Sequence, residues 1–243
     1  MKPFLLLATR DDDQAAAAEY RSVLRHTGLG SERLLRQIRV ESEPMPAVNL
    51  ADYSGVLLGG SSFDISNPAK SELQLRVEAD LRTLVDEIVD RDVPFLGLCF
   101  GIGLVTHHIG GHVDNTYAEA VGAIEISLTA EGRSDPLLDG ISDSFHAFVG
   151  HKEGCTRTPP HAVLLATGDA CPVQMYRVGA NVYVTQFHPE LDADDLAERM
   201  RIYQHAGYFR PEEMDDLVRM ARASQVNGEQ HLLLSNFARR YAA

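Results

Sequence analysis

The stretch VPFLGLCFGIGLVTHHIGG, residues 93–111, decides the fold. It begins with a short apolar run, 93–98, which is typical of a buried strand in a parallel sheet. The segment 102–109 has the apolar pattern of a helix. Between the two lies GLCFG, in which Cys99 stands between two glycines. The stretch therefore predicts a strand and a helix joined by a tight corner, with the cysteine at that corner.

The alternation of apolar runs and helical patterns continues on the N-terminal side of this corner. Buried strands are predicted at 4–8, 34–40 and 55–58, and helices are predicted at 14–26 and 71–91. Strands that alternate with helices are typical of a parallel sheet covered on both faces. The expected fold class is therefore α/β, with a mostly parallel sheet flanked by helices.

The pattern changes after about residue 122. Shorter apolar runs separated by turn residues follow, which predict a smaller antiparallel portion. Helices are predicted at 192–201 and 211–223, and Gly207 and Gly228 interrupt the pattern near them.

No linker divides the chain, so we expect a single domain over residues 1–243. Within it, residues 1–190 form the expected catalytic core. Residues 191–243 form a helical segment that we call the C-terminal tail.

Composition excludes some classes of partner and favours one compartment. The formal net charge of −13 disfavours nucleic acid and anionic membranes, because both attract basic surfaces. Three cysteines fit no disulfide or zinc framework, which favours a reducing, cytoplasmic location. The apolar run at 4–8 is too short for a signal peptide or a membrane span. We predict no cofactor and no metal site, and we interpret His107, His108 and His112 as surface histidines at a helix end.

The corner cysteine has the layout of a nucleophile elbow. A tight turn between strand and helix projects its central side chain from the carboxyl end of the sheet. The positive end of the following helix favours the thiolate form of Cys99. The amide N–H of Phe100 then faces a developing oxyanion. Taken alone, Cys99 is equally well explained as a small buried hydrophobic residue.

Two further segments offer the groups that a thiolate nucleophile needs. In FHPE, Pro189 favours an extended backbone, which places His188 and Glu190 on the same side. Glu190 is then placed to orient the imidazole as a general base. The glycine pair Gly59 and Gly60, at the end of a predicted strand, offers an amide N–H to an oxyanion. As isolated motifs, the first also fits a surface turn and the second a simple turn.

Taken together and in this order, the segments resemble those of the class I (triad) glutamine amidotransferases. LLGGSS (57–62) resembles the oxyanion strand of that family, GLCFGIG (97–103) its nucleophile elbow, and QFHPE (186–190) its histidine–glutamate segment. GHKEG (150–154) falls where related domains carry a loop beside the pocket, which makes His151 a candidate pocket residue. The likeness is to free-standing domains similar to the amidotransferase half of GMP synthase. It implies a flavodoxin-like α/β fold.

The resemblance implies that Cys99 attacks the side-chain amide of glutamine and forms a γ-glutamyl thioester. Amides near Gly60 and Phe100 would hold the oxyanion, and His188, oriented by Glu190, would protonate the departing ammonia. One position departs from the family: Gly103 stands where many relatives carry a glutamine that binds the substrate. We therefore expect weaker binding of free glutamine.

Two other functions stay open on the sequence. The first is a γ-glutamyl hydrolase or related cysteine peptidase with the same triad, which Gly103 favours. The second is a non-catalytic binding or regulatory subunit, which the intact triad disfavours. No synthetase segment is recognisable, so any acceptor of ammonia is expected on another chain.

Overall fold

A computed structural model describes residues 1–205 and 209–242. The strands are β1 (Phe4–Thr9), β2 (Leu35–Arg39), β3 (Val56–Ser61), β4 (Phe95–Leu98), β5 (His112–Asp114), β6 (Glu119–Leu128), β7 (Ser144–His151), β8 (Gly154–Arg157), β9 (Val163–Gly168), β10 (Met175–Val178) and β11 (Val182–Thr185). The helices are α1 (Asp13–Thr27), α2 (Glu72–Asp90), α3 (Phe100–His108), α4 (Ala130–Ser134), α5 (Ala193–Ile202), α6 (Met214–Ala223) and α7 (Leu232–Tyr241).

Nine of these strands form one mixed sheet in the order β2-β1-β3-β4-β11-β10-β9-β6-β7. The first five strands in that order pair in parallel, and the remaining pairs are antiparallel. Strands β5 and β8 form a separate antiparallel pair. The predicted α/β fold, with a sheet flanked by helices that has a parallel and an antiparallel portion, is confirmed. Four of the eight strand pairs in this sheet are parallel and four are antiparallel. The order of the parallel strands is the flavodoxin-like one.

The sheet has a hydrophobic core on each face, which explains the unbroken apolar runs. Along β1, Phe4 and Leu6 point into one core, and Leu5 and Leu7 point into the other. Helices α1 and α7 cover the first face, while α2 and α3 cover the second. Because these strands are buried on both sides, they lack the alternation of polar and apolar residues seen in half-exposed strands.

Two helices begin at a polar side chain that caps their first backbone amides. The Asp12 side chain accepts hydrogen bonds from the backbone amides of Gln14 and Ala15 at the start of α1. Ser71 caps α2 in the same way, by accepting from the amide of Gln74.

Element boundaries differ from the prediction at two functional places. Strand β3 does not end before the glycine pair but continues through Gly59 and Gly60 to Ser61. Helix α3 begins at Phe100 rather than at Ile102, directly after Cys99. Both differences bring backbone that the sequence assigned to turns into regular structure.

The C-terminal tail is helical, as predicted, and includes a last helix, α7, whose boundaries the sequence pattern did not give. The predicted interruption at Gly207 lies outside the described residues. Helix α7 packs its Phe237 ring on Phe4 of β1, with ring centroids 5.8 Å apart. Within the described part of the chain, no helix combines the length and the apolar character that crossing a membrane requires.

Candidate active site

Three neighbouring parallel strands, β3, β4 and β11, end at one edge of the sheet and carry the predicted site residues there. In an open α/β sheet, the carboxyl ends of the strands are the usual place for a binding site. Gly59 and Gly60 lie in the last part of β3, and Cys99 directly follows β4. His188 lies shortly after the end of β11.

Cys99 occupies a strained backbone corner. Its φ angle is +49° and its ψ angle is −87°, in the left-handed half of conformational space that non-glycine residues avoid. Its amide N–H donates to the carbonyl oxygen of Thr185 on β11 at 2.7 Å. A Cβ atom on Gly97 would lie 3.1 Å from the Cα atom of Gly101. The two glycines therefore allow the strand and helix to approach closely, and the corner has the geometry of an elbow.

The three cysteines differ in exposure. Cys155 and Cys171 are buried, and burial raises the pKa of both thiols. Cys99 is partly exposed and lines two cavities. Phe100 is the first residue of α3, so its amide N–H belongs to the unpaired N-terminal turn of that helix.

His188 is fixed at both its backbone and its ring. Its amide N–H donates to the carbonyl oxygen of Phe148 at 2.9 Å. Its Nδ1 atom lies 2.7 Å from Oε1 of Glu190, and both side chains are almost completely buried. His188 and Cys99 line the same cavity. The structure thus brings the predicted cysteine, histidine and glutamate together at one edge of the sheet.

The charges of this group favour an imidazolium. Burial alone would lower the pKa of His188, but the Glu190 carboxylate and the Cys99 thiol outweigh it and raise that pKa to about 9. Burial alone would raise the pKa of Glu190, but His188 and the Arg199 guanidinium hold it well below its usual range. Glu190 is therefore a carboxylate at neutral pH.

Arg199 is a site residue that the sequence did not reveal. Its Nη1 atom donates to Oε1 of Glu190 at 3.0 Å, the same oxygen that receives the hydrogen bond from His188. Arg199 comes from α5 in the C-terminal tail, and its side chain is 12% exposed. No motif surrounds it, since the contact arises only when α5 folds back over the sheet edge.

The glycine pair makes room for a buried ion pair, a role that the sequence pattern did not indicate. The Arg10 Nε atom donates to Oε1 of Glu19 at 3.0 Å. A Cβ atom on Gly59 would lie 2.1 Å from Oε2 of Glu19, and one on Gly60 would lie 2.3 Å from Nη2 of Arg10. The amide N–H of Gly60, predicted to face an oxyanion, donates to Oε1 of Glu19 at 3.0 Å.

Gly103 lies beside Glu153 in one of the two cavities at Cys99, a neighbour that the resemblance did not anticipate. A Cβ atom on Gly103 would lie 3.1 Å from Oε1 of Glu153. The Glu153 carboxylate accepts hydrogen bonds from the amides of Ile65 and Ser66, each at 2.7 Å. Burial raises the pKa of Glu153, and these amides oppose the rise. A carboxylate therefore lies against the position of α3 at which the resemblance implies a glutamine in related proteins.

His151 lines the same cavity, but its ring nitrogens are already engaged. Nδ1 lies 2.8 Å from the carbonyl oxygen of Glu153, and Nε2 lies 2.9 Å from Oε2 of Glu119. Glu119 also accepts a hydrogen bond from Nε2 of Gln174 at 2.8 Å. His151, Glu119 and Cys171 have the residue types of metal ligands and place one such atom each within 4.8 Å of one another. The hydrogen bonds indicate that His151 holds the loop that carries Glu153.

Comparison with known proteins supports the interpretation of this edge of the sheet. The family described as "Glutamine amidotransferase class-I" matches residues 25–200, well over half of the chain. The chain therefore belongs to the class I glutamine amidotransferase family.

Individual relatives point in the same direction. The chain is 31% identical over 105 residues to a subunit of the glutamine-hydrolysing GMP synthase of Methanosphaera stadtmanae, and the match covers 43% of this chain and 55% of that protein. It is 30% identical over 115 residues to the glutamine-hydrolysing GMP synthase of Clostridium novyi, where the match covers 47% of this chain and 22% of that protein. The chain thus spans only part of these relatives.

A solved structure shows the same fold. A glutamine amidotransferase from Thermotoga maritima superimposes with a TM-score of 0.76 at 17% identity, over 100% of both chains. At that identity the likeness concerns the fold alone. The superposition includes the C-terminal tail, to which the three sequence motifs do not extend.

Proposed function

We propose that this protein hydrolyses the side-chain amide of glutamine through a Cys99–His188–Glu190 triad. The observation that carries the proposal is the strained corner that exposes Cys99 in the same cavity as a histidine held by a buried glutamate. A strained nucleophile corner followed by a helix N-terminus, with a base held by a third group, is the arrangement used for nucleophilic catalysis at acyl carbons.

The reaction begins with attack of the Cys99 thiolate on the amide carbon of glutamine. The tetrahedral oxyanion accepts a hydrogen bond from the amide of Phe100. The carbon–nitrogen bond then breaks as the His188 imidazolium gives its proton to the nitrogen, and ammonia leaves. Water, deprotonated by the neutral His188, attacks the γ-glutamyl thioester, and glutamate and the thiolate are released.

Arg199 and Glu19 complete this proposal as positioning residues. Arg199 donates to the same Glu190 oxygen as His188 and so limits how strongly Glu190 attracts the imidazole proton. Glu19 binds the amide of Gly60 and so fixes the end of β3 next to Cys99. Because Arg199 belongs to the C-terminal tail, we propose that the core and the tail act as a single unit.

Labelling and trapping test the triad. A glutamine-like chloroketone should alkylate Cys99 ahead of the buried Cys155 and Cys171, and ammonia release should stop with the labelling. Acid quenching during turnover of radiolabelled glutamine should trap a γ-glutamyl thioester. Ammonia release that persists after complete alkylation of Cys99 would refute the mechanism.

We also propose that the ammonia passes to an acceptor enzyme on another chain. The support is the relative from Methanosphaera stadtmanae, which is named as a subunit of GMP synthase. If so, a synthetase subunit of that type from the same organism should raise kcat/KM for glutamine when it is mixed with this protein. An unchanged kcat/KM at saturating synthetase would contradict the proposal.

A further inference from the structure

Two cavities of different chemistry meet at Cys99. The first contains the charged side chains of Asp64, Lys152 and Glu153. The second has a mostly apolar wall, contributed by Val121, Val149, Leu191, Leu196, Met200 and Phe209. We call the first the charged cavity and the second the apolar cavity. A substrate whose amide carbon is attacked by Cys99 therefore has room on both sides of the bond that breaks.

The position of His188 assigns a role to each side. His188 lines the apolar cavity and, among the described residues, does not line the charged one. The group that protonates the leaving nitrogen must lie on the nitrogen side of the amide. The glutamyl part, with its ammonium and carboxylate, then lies in the charged cavity. Anything attached to the nitrogen extends into the apolar cavity.

We infer that the apolar cavity binds the substituent of an N-substituted glutamine, that is, a γ-glutamyl amide of an amine with an uncharged aliphatic group. This inference rests on the proposed triad and deepens it by naming the substrate class. The leaving group of free glutamine is a single nitrogen, which leaves such a cavity unfilled. Burying an aliphatic group against its wall adds binding free energy that ammonia cannot supply.

The charges around the apolar cavity favour an uncharged substituent over one with a carboxylate. Two arginines line the cavity, Arg10 and Arg199, and their side chains are 6% and 12% exposed. Each already donates to a buried carboxylate, Arg10 to Glu19 and Arg199 to Glu190. A carboxylate on the substituent would compete with these pairs, and breaking a buried pair is costly.

A γ-glutamyl amide passes through the same two chemical steps as glutamine, with an amine as the leaving group. The Cys99 thiolate forms the thioester bond, and the carbon–nitrogen bond breaks. The nitrogen keeps the bond's electron pair and takes the proton of the His188 imidazolium, so a neutral primary amine departs. Water then hydrolyses the thioester to glutamate, with His188 regaining its proton.

A series of alkyl amides tests the inference on the whole chain. γ-Glutamyl ethylamide and γ-glutamyl isopentylamide have leaving amines of similar basicity, so their intrinsic reactivities match. Each additional buried methylene is worth roughly a fourfold factor, so kcat/KM for the isopentylamide should exceed that for the ethylamide by about tenfold or more. γ-Glutamyl leucine, which adds a carboxylate, should be the poorer substrate. Equal kcat/KM for the two amides would overturn the inference.

A matched pair of substitutions locates the effect. Met200→Gln places an amide in the wall of the apolar cavity at nearly constant volume, and it should reduce the preference for the isopentylamide by about fivefold to tenfold. Met214→Gln makes the same change in the same hydrophobic cluster, on α6, away from the cavity lining. It should leave the preference unchanged. An equal loss in both variants would overturn the assignment to this cavity.

The outcomes separate this inference from the triad itself. If Cys99→Ala retains hydrolysis of every amide, the proposed triad fails. If hydrolysis of glutamine depends on Cys99 but the chain shows no preference for the longer amide, only the inference fails. A preference for free glutamine over both amides would also overturn the inference. The apolar cavity would then take part in the transfer of ammonia to an acceptor, and it would not bind a substituent of the substrate.

Discussion

The candidate site is built from two kinds of segment, which we call the motif side and the tail side. The motif side consists of strand β4, the elbow and the FHPE segment, which are continuous stretches whose sequence carries the geometry. The tail side consists of Arg199, Met200 and Phe209 of the C-terminal tail, which come from segments without a motif. The residues that we propose to break the bond are thus positioned by local backbone, whereas the surroundings of the proposed leaving group depend on packing between distant segments.

The two sides also differ in electrostatics. The motif side places a thiol, an imidazole and a carboxylate in a row, each acting on the next. The tail side adds Arg199, whose positive charge acts on Glu190 and through it on His188. Substitutions on the motif side should therefore remove the reaction, and those on the tail side should adjust it.

The largest effect is expected for Cys99→Ser. A serine hydroxyl in the same corner is not activated as a thiol is, so kcat/KM for glutamine should fall by about 10³-fold or more. Steady-state release of ammonia measures the loss, and circular dichroism checks the fold. Cys155→Ser is the matched control, because Cys155 is buried away from the two cavities at Cys99. Residual activity within tenfold of the original would contradict the role of Cys99 as the nucleophile.

Changes in the His188–Glu190 pair should follow in magnitude. His188→Ala removes the proton donor and should lower kcat by about 10²- to 10⁴-fold. Glu190→Gln removes only the group that orients and charges the imidazole, so its effect should be smaller than that of His188→Ala. Single-turnover release of ammonia distinguishes the two. A silent Glu190→Gln with an inactive His188→Ala would exclude Glu190 as the third member.

The position of the motif side in the fold follows from the sequence for a physical reason. Cys99, His188 and Glu190 lie at the ends of buried strands, and neighbouring parallel strands bring their carboxyl ends together whatever loops connect them. Local rules of strand, turn and helix were therefore sufficient to place them. The helical character of the tail was predicted for the same reason, from local periodicity.

The parts that the sequence did not predict all depend on contacts between distant segments. Glu19 on α1 reaches the amide of Gly60, and Arg199 on α5 reaches Glu190. Glu153 fills space beside Gly103. A charged residue on a helix is usually solvated, so nothing in the local pattern of Glu19 or Arg199 distinguishes it from its exposed neighbours. Only the folded arrangement shows that these charges are buried and paired.

The pH dependence offers a test of the imidazolium. Because the pKa of His188 is raised to about 9, its proton is present at neutral pH and is lost as the pH rises through 9. Proton donation to the leaving nitrogen should therefore fail above that pH. The alkaline limb of kcat/KM should have an apparent pKa near 9, measured from about pH 6 to about 10.5 in buffers of constant ionic strength. A limb near 6.5, the ordinary histidine value, would contradict the charge arrangement.

Arg199→Met tests the electrostatic contribution of the tail side, because it removes the positive charge there and retains an apolar side chain. Without the guanidinium, Glu190 attracts the His188 proton more strongly, and like-charge repulsion disappears. The alkaline limb should move to higher pH, and kcat should fall by about threefold to tenfold as Glu190 loses an anchor. Arg199→Lys should restore the position of the limb. A loss of kcat without any shift in the limb would indicate a purely structural role.

The smallest effect is expected at Gly103, where the resemblance implies a glutamine in related proteins. A side chain there meets Oε1 of Glu153 at 3.1 Å from its Cβ atom, and two backbone amides hold that carboxylate in place. Gly103→Gln should therefore lower the free energy of unfolding by about 1–3 kcal/mol and should not lower KM for glutamine. Urea unfolding and steady-state kinetics measure the two quantities.

A double-mutant cycle shows whether Glu153 is the cause. If the added side chain is opposed by the Glu153 carboxylate, Gly103→Gln should cost less stability in a Glu153→Ala background than in the original chain, because the two sites are in direct contact. Equal costs in the two backgrounds would place the strain elsewhere, against Ile65, whose Cγ1 atom lies 3.4 Å from the same Cβ position. A lower KM for glutamine with unchanged stability would instead mean that the charged cavity accepts the glutamine side chain found in relatives. The departure at Gly103 would then have no bearing on which γ-glutamyl compound this protein prefers, and the apolar cavity alone would have to account for any such preference.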